Sequence, residues 1–387
     1  MAKSTAKSTM LSAGEARAAA LYAQGLNALP SPPDVARVLD AVAAIQLDTI
    51  SVLARSHELI CYSRLGSVGR ANVDGYLWGR RPPEAFEYPA HAACLLPMSS
   101  WPYFAFRRRK EGHGFAAKGQ LDDPGLKDLR ARLADGPVTA TDLGGAAATK
   151  ERWSRHSDAK SLAEMLWRTG EAACTDRKSW RRIYDLAERV VPAELRAQQP
   201  SDEQCYAYLV TAAIRAMGVA TRADIADYFH LSLREVDAGL VAAGHEPVTV
   251  AGWPEPAWAS REALNATASA RTVLLSPFDS LIWKRDRTER LFQFSFSFEA
   301  YKPKEQRERG YFTMPLLFNG EIAGWIDPAR EGRTLVVRAC ELTNQKALSG
   351  LVEALREAAQ WTGCQAVTVE ATIGQPKLSA SLNRLLT

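Results

Sequence analysis

Apolar positions recur at helical spacing from the start of the chain. Ser12-Ala13-Gly14-Glu15 has the form of a capping box and opens an Ala-rich helix that stops at Gly25. Ser31-Pro32-Pro33-Asp34 predicts a second helix, with Ser31 as N-cap, Pro32 at the first helical position, and Val35, Val38, Leu39 and Val42 on one face. At its end the pattern breaks. Gln46 and Asp48 interrupt an apolar run of Ile45, Leu47, Ile50, Val52 and Leu53, and two residues apart they share one face of an extended segment.

The middle of the chain repeats itself. GPVTATDL (136 to 143) aligns with GVATRADI (218 to 225), pairing Gly136 with Gly218, Thr139 with Thr221, Asp142 with Asp224 and Leu143 with Ile225. Each Thr-x-x-Asp caps a short helix in this reading, and a second amphipathic helix follows. One carries Leu162, Met165 and Leu166 and ends at Gly170; the other opens at the capping box Ser232 to Glu235 and ends at Gly244. After each Gly come two strand-like segments around a turn: EAAC, TDRKS and WRRIYDL in the first, EPVTVAGW, PEP and AWAS in the second. Helix, turn, helix, hairpin is the order of a winged helix, although such units also serve as plain structure.

From about Arg271 the pattern is that of strands. VLLSPFDSLIW leads to the charged KRDRTER, and Phe292, Phe294, Phe296 and Phe298 alternate strictly, predicting a strand with one apolar face. Further strands are expected at YFTMPLLF, EIAGWI, TLVVRA and QAVTVEA. Asn319-Gly320 is a hairpin signal, and a helix runs from about Gln345 to Trp361. The fold class is therefore α+β. The expected divisions are a disordered lead over 1–10, units at 11–115, 116–200 and 201–263, and a β-rich, barrel-like domain at 264–387.

With 387 residues, 47% hydrophobic and 24% charged, the chain has material for a folded protein of several units. Its apolar runs are too short to cross a bilayer, and MAKSTAKSTM has no hydrophobic signal core, so a cytoplasmic, nucleoid-associated protein is expected. The six cysteines lack CxxC or matching His spacing, which argues against a zinc site or disulfide framework; no metal or cofactor is expected. Net charge is only +4, but basic residues cluster at turns: Arg80-Arg81, Arg107 to Lys110, Arg177, Lys178, Arg181 and Arg182 around Trp180, and Lys284, Arg285 and Arg287. The wing cluster fits phosphate contact, with a solvated charge patch as the alternative.

Together these features resemble the winged-helix DNA glycosylases of the crosslink-repair, AlkZ-like family. The resemblance rests on IQLDTISVLARSHELICYSRLG (45 to 66), FEYPAHAACLLP (86 to 97), WRTGEAAC with WRRIYDLAERVVP (167 to 192), and LLSPFDSLIWKRDRTERLF (274 to 292). It implies three tandem winged helices and a C-terminal β-domain, making 11–115 a divergent first copy, and a monomer that binds double-stranded DNA containing alkylated or crosslinked guanine. The family's catalytic motif, Gln, an apolar residue, then Gln or Asp, reads here Gln46-Leu47-Asp48. The Asp form resembles the branch linked to general alkylation and mustard-crosslink repair.

The residue types suit that chemistry. N7-alkylation makes guanine cationic, so it leaves the sugar without a strong general acid, and charge develops on an oxocarbenium ion. Asp48 would stabilise that cation and act as base toward a water that Gln46 holds. No lysine nucleophile is required, so the expected enzyme is monofunctional and leaves an abasic site. On local sequence alone, Asp48 instead N-caps a helix beginning at Thr49, with Gln46 bonded at the preceding helix end. Arg55 and Arg64 flank the motif as candidate phosphate contacts, and His57 and His91 as further DNA contacts. Lys284 to Arg287 is a candidate hairpin tip. The competing function is a non-catalytic winged-helix DNA-binding protein, a regulator or architectural factor. A metal-dependent or covalent hydrolase finds no GxSxG, HExxH or P-loop to support it.

Overall fold

The structure, a computed structural model, describes residues 9–139, 142, 159–267 and 269–386. It is mixed α and β and divides into two compact units, one of Met1–Val73, Ala212–Leu233 and His245–Thr387, the other of Asp74–Thr211 and Arg234–Gly244.

In the first unit the capping box forms as expected. Ser12 accepts the Glu15 N–H, Glu15 returns to the Ser12 N–H, and the helix Ala13–Ala23 buries Ala16, Ala19, Ala20 and Leu21. The disordered lead is corrected at its end: Met10 and Leu11 pair in parallel with Thr249 and Val250, while residues 1–8 lie outside the described residues. The second helix starts later than expected. Asp34, not Ser31, is the N-cap and accepts the Ala36 N–H, so Pro32 precedes the helix Val35–Val42; the buried face of Val35, Val38, Leu39 and Val42 is as read. Thr221 and Asp224 cap the helix Arg222–Tyr228 reciprocally, and Val219–Thr221 pairs with Ala257–Ala259.

The C-terminal sheet has five strands in the order Thr272–Leu274, Met314–Phe318, Glu321–Glu331, Thr334–Leu342, Ala366–Val369. Asn319 and Gly320, at φ 49° and 78°, make the tight turn that their sequence predicts. The last strand is parallel to its neighbour because the helix Leu348–Thr362 intervenes. That helix lies close on the sheet: a Cβ at Gly350 would come within 2.3 Å of the Phe318 ring. The strand order is open, not the barrel expected. The alternating phenylalanines form no strand either, since Arg285–Phe292 is a helix that ends in left-handed Gln293, and no strand follows over residues 293–300. Phe292, Phe294 and Phe296 are nonetheless core. KRDRTER is thus helical, and the hairpin tip expected at Lys284 to Arg287 does not exist.

A buried cation ties this unit together. Arg64 donates from Nη1 and Nη2 to Asp279 at 2.7 and 2.9 Å, from Nε to the Gln24 carbonyl at 2.7 Å, and from Nη2 to the Gln24 side chain at 2.7 Å. Both charged side chains are within 2% of complete burial.

In the second unit Ala85–Pro89 and Ala93–Pro97 form a hairpin. The helix Ala159–Thr169 ends at Gly170 as predicted and leads to a second hairpin, Ala172–Lys178 with Arg181–Leu186, joined by Val138–Thr139. Its tip is Ser179-Trp180, beyond the TDRKS turn expected, so the basic residues lie on the strands. Thr139 and Asp142 exchange the capping bonds predicted for them; the helix expected to follow lies outside the described residues.

Asp279→Ala leaves the Arg64 guanidinium buried and without its counter-charge. It is expected to cost about 3–5 kcal/mol in urea unfolding. Glu171→Ala, which removes the exposed partner of Arg130, is the control, expected to cost at most about 1 kcal/mol.

Candidate active site

The helix Val35–Val42 closes with left-handed Ala43, and the chain turns into the two-residue strand Ile45–Gln46. Alternation then sorts the side chains. Ile45 and Leu47 are buried, while Gln46 and Asp48 are only half-buried, so the amide and the carboxylate share the accessible face.

Ser56 fixes the backbone beneath them. Its hydroxyl donates to the Gln46 carbonyl at 2.6 Å and accepts the Asp48 N–H at 3.0 Å, so one wholly buried side chain clamps the peptide groups on both sides of Leu47. Asp48 Oδ1 accepts the Ile50 N–H at 2.8 Å, an Asx turn. No helix begins at Thr49; the next one is Ser56–Leu65, headed by Arg55, whose N–H is taken by Glu58 at 2.6 Å. The helix-cap alternative for Asp48 is therefore set aside. Arg55 closes the intervening loop by donating to the Thr49 carbonyl at 3.1 Å, and Ile50 and Val52 pack on the core.

Burial pushes the Asp48 carboxyl up, against the backbone N–H groups of Ile50 and Thr49 that hold it down, and its pKa ends above that of an ordinary aspartate. Such a carboxylate, when ionised, is a stronger base than one in open water. It remains half-accessible, so a cation or a water molecule can reach it.

The other predicted residues separate into outward and inward groups. Lys178 and Arg181 flank the hairpin tip and are exposed. Arg177 and Arg182 belong elsewhere: both pair with buried Glu87, Arg177 at 2.7 Å. Burial pushes the Glu87 carboxyl up, but the charges of Arg182 and then Arg177 prevail and hold it below the usual range. Phosphate contact by these two is corrected to internal charge compensation. Arg64 and His57 are likewise buried and do not face a phosphate. Arg287, 2% exposed, donates to the Met217 carbonyl at 2.8 Å, and burial draws its pKa down to about 10. Arg285 bonds the Ile282 carbonyl and stacks on Phe296, and Lys284 faces Asp286. His91 sits half-buried in the turn between Ala85–Pro89 and Ala93–Pro97. Sequence reasoning missed Ser56. Its one signal was a small hydroxyl residue at the start of a helix close behind the motif.

The amide and the carboxylate thus lie half-accessible on one clamped edge, with the carboxylate partly desolvated. A family model for the AlkZ-like DNA glycosylases matches residues 39–361, a span that includes the motif, the clamp and most of the C-terminal sheet. The chain belongs to that family and is a DNA glycosylase. In fold it is similar to the DNA glycosylase AlkZ of Streptomyces sahachiroi, with a TM-score of 0.64, 18% identity, and coverage of 94% of this chain and 100% of that one. Among the described residues no helix is long and apolar enough to cross a membrane.

Ser56→Ala strands the Gln46 carbonyl and the Asp48 N–H. The variant is expected to lose about 1–3 kcal/mol in urea unfolding. Because the motif loses its backbone clamp, single-turnover base release should also slow by about tenfold or more.

Proposed function

We propose that this glycosylase hydrolyses the N-glycosidic bond of cationic N7-alkylguanine in double-stranded DNA, unhooks interstrand crosslinks built on that base, and leaves an abasic site. The observation that carries the reading is the partly desolvated Asp48 carboxylate standing beside Gln46 on a clamped edge. As the base leaves, Asp48 faces the oxocarbenium charge and receives the proton of a water that Gln46 positions. The Asp in the motif supports a broad alkylation-repair role. A base tied to both strands cannot be rotated out of the duplex, so the enzyme works on it in place. We read the chain as three tandem winged helices over 11–115, 116–200 and 201–263 followed by 264–387, acting as a monomer, with exposed Lys178 and Arg181 on phosphates.

The test uses duplex DNA with one N7-methylguanine, mild alkali to cleave abasic sites, and Asp48→Asn beside the wild type. Wild type should break the strand and Asp48→Asn should be slower by about 100-fold or more. Equal rates would remove Asp48 from the mechanism. Tight binding without breaks from either protein would refute N7-methylguanine as substrate.

The wild-type rate should also fall in acid. A raised carboxyl pKa means that protonation, and with it loss of the negative charge, sets in at a higher pH than for an ordinary aspartate at about 3.9. A pH–rate profile with an inflection above that value is expected. An inflection at or below it would contradict the desolvated environment.

A further inference from the structure

The chain enters the motif through a pivot. Val42 ends its helix, Ala43 turns left-handed at φ 51°, and the Val42 carbonyl accepts the Ala44 N–H at 2.5 Å before Ile45 and Gln46 run on as a strand. A second donor reaches the same carbonyl from far along the sequence: the Tyr228 hydroxyl, at 2.5 Å. Tyr228 ends the helix Arg222–Tyr228 that Thr221 and Asp224 cap. Its side chain is completely buried, with the ring edge-on to Phe229 at 5.1 Å and tilted against Trp283 at 5.0 Å.

The hydroxyl belongs to the polar interior that holds Arg64. Ser280 donates to Gln24 Oε1 at 2.6 Å, the atom that also takes Arg64 Nη2. Burial pushes the Tyr228 phenol up to about 12, against the hydrogen bonds of the Ser280 and Gln24 side chains, so at neutral pH it keeps its proton and remains a donor. This interior accounts for the polar residues in the apolar stretch LLSPFDSLIW: Asp279 holds Arg64, Ser280 holds Gln24, and Trp283 backs the Tyr228 ring.

The motif is thus gripped at two points. Ser56 holds the peptide groups on both sides of Leu47, and Tyr228 holds the carbonyl at which the segment leaves its helix. A clamp at one point fixes position but lets a short strand swing about it. A second clamp fixes direction, and with it where Gln46 and Asp48 aim.

We propose that Tyr228 is a positioning residue for base excision, setting through the Val42 carbonyl the direction of the Gln46-Leu47-Asp48 edge. Buried as it is, Tyr228 touches neither DNA nor the reacting atoms. The inference rests on the reading of Gln46 and Asp48 as the reacting pair.

Tyr228→Phe removes the hydroxyl and keeps the ring, and the Val42 carbonyl retains the Ala44 N–H, so the fold should survive. Single-turnover release of N7-methylguanine from duplex DNA should slow about tenfold, while affinity for the duplex changes by less than about twofold. Tyr88→Phe is the matched control. Tyr88 is 1% exposed and donates to the Arg168 main-chain carbonyl at 2.7 Å, in the other unit, so its loss should lower the urea midpoint comparably and leave the rate at wild type. In the free proteins, hydrogen exchange at the amides of residues 43–48 should quicken about tenfold in Tyr228→Phe and stay unchanged in Tyr88→Phe. The proposal is overturned if Tyr228→Phe keeps the wild-type rate, if its exchange is no faster than that of Tyr88→Phe, or if both variants lose rate equally. A wild type that releases no base, or an Asp48→Asn variant as fast as wild type, would sink the reading of the site instead. The exchange comparison would still decide whether Tyr228 holds the segment.

Discussion

The site depends on a guanidinium that never reaches solvent. Arg64 sits at the far end of the helix whose first residue, Ser56, clamps the motif. With that end bonded to Asp279 and Gln24, the helix cannot rotate or slide without breaking several charge-assisted bonds in a dry interior. A buried ion pair is weak evidence of net stability, because desolvation offsets much of the attraction. Its contribution is directional. Apolar side chains could fill the same volume, but they would not fix the helix about its own axis, and that rotation decides where the Ser56 hydroxyl points.

Given that anchor, the accessibility of Asp48 is a compromise between two electrostatic demands. In open water a charge about 4 Å away would interact with it by only about 1 kcal/mol, whereas at an effective dielectric near 20 the figure is about 4 kcal/mol. In the proposed mechanism, burial therefore strengthens its hold on a developing cation. Complete burial would defeat the purpose, because an unpaired carboxylate in an apolar interior takes up a proton and loses its charge. The bond from the Ile50 N–H moderates this by favouring the ionised form. The alternation of buried Ile45 and Leu47 with open Gln46 and Asp48 sets the depth.

Where local chemistry decides, the sequence was legible. The capping boxes at Ser12 and Thr221, the helix ends at Gly25, Gly170 and Gly244, and the Asn319-Gly320 turn all follow from a few adjacent residues. The Gln46-Leu47-Asp48 alternation was also readable, although its clamp was not, because Ser56 acts through bonds across a loop. The phenylalanine stripe misled for a physical reason: alternation reports which side chains are buried, and an extended segment can bury one face without strand partners. Basic residues misled more. Arg64 finds Asp279 and Arg177 finds Glu87 far away in the sequence, and no local pattern distinguishes a cation with such a partner from one facing water.

That inward turning changes how DNA affinity must be apportioned. Arg64, Arg177, Arg182 and Arg287 add to the formal charge while lying in the interior or compensating an internal carboxylate. A protein of net charge +4 with several of its cations so occupied has fewer to displace counterions from the phosphate backbone. Recognition built mainly on that sequence-independent attraction would be blind to damage in any case, since every phosphate looks alike. Selectivity must come from groups that sense the base itself, and the cationic base of the proposed reading offers a charge that normal DNA lacks. In that proposal the Asp48 carboxylate, tuned by partial burial, answers the charge that develops on the sugar side.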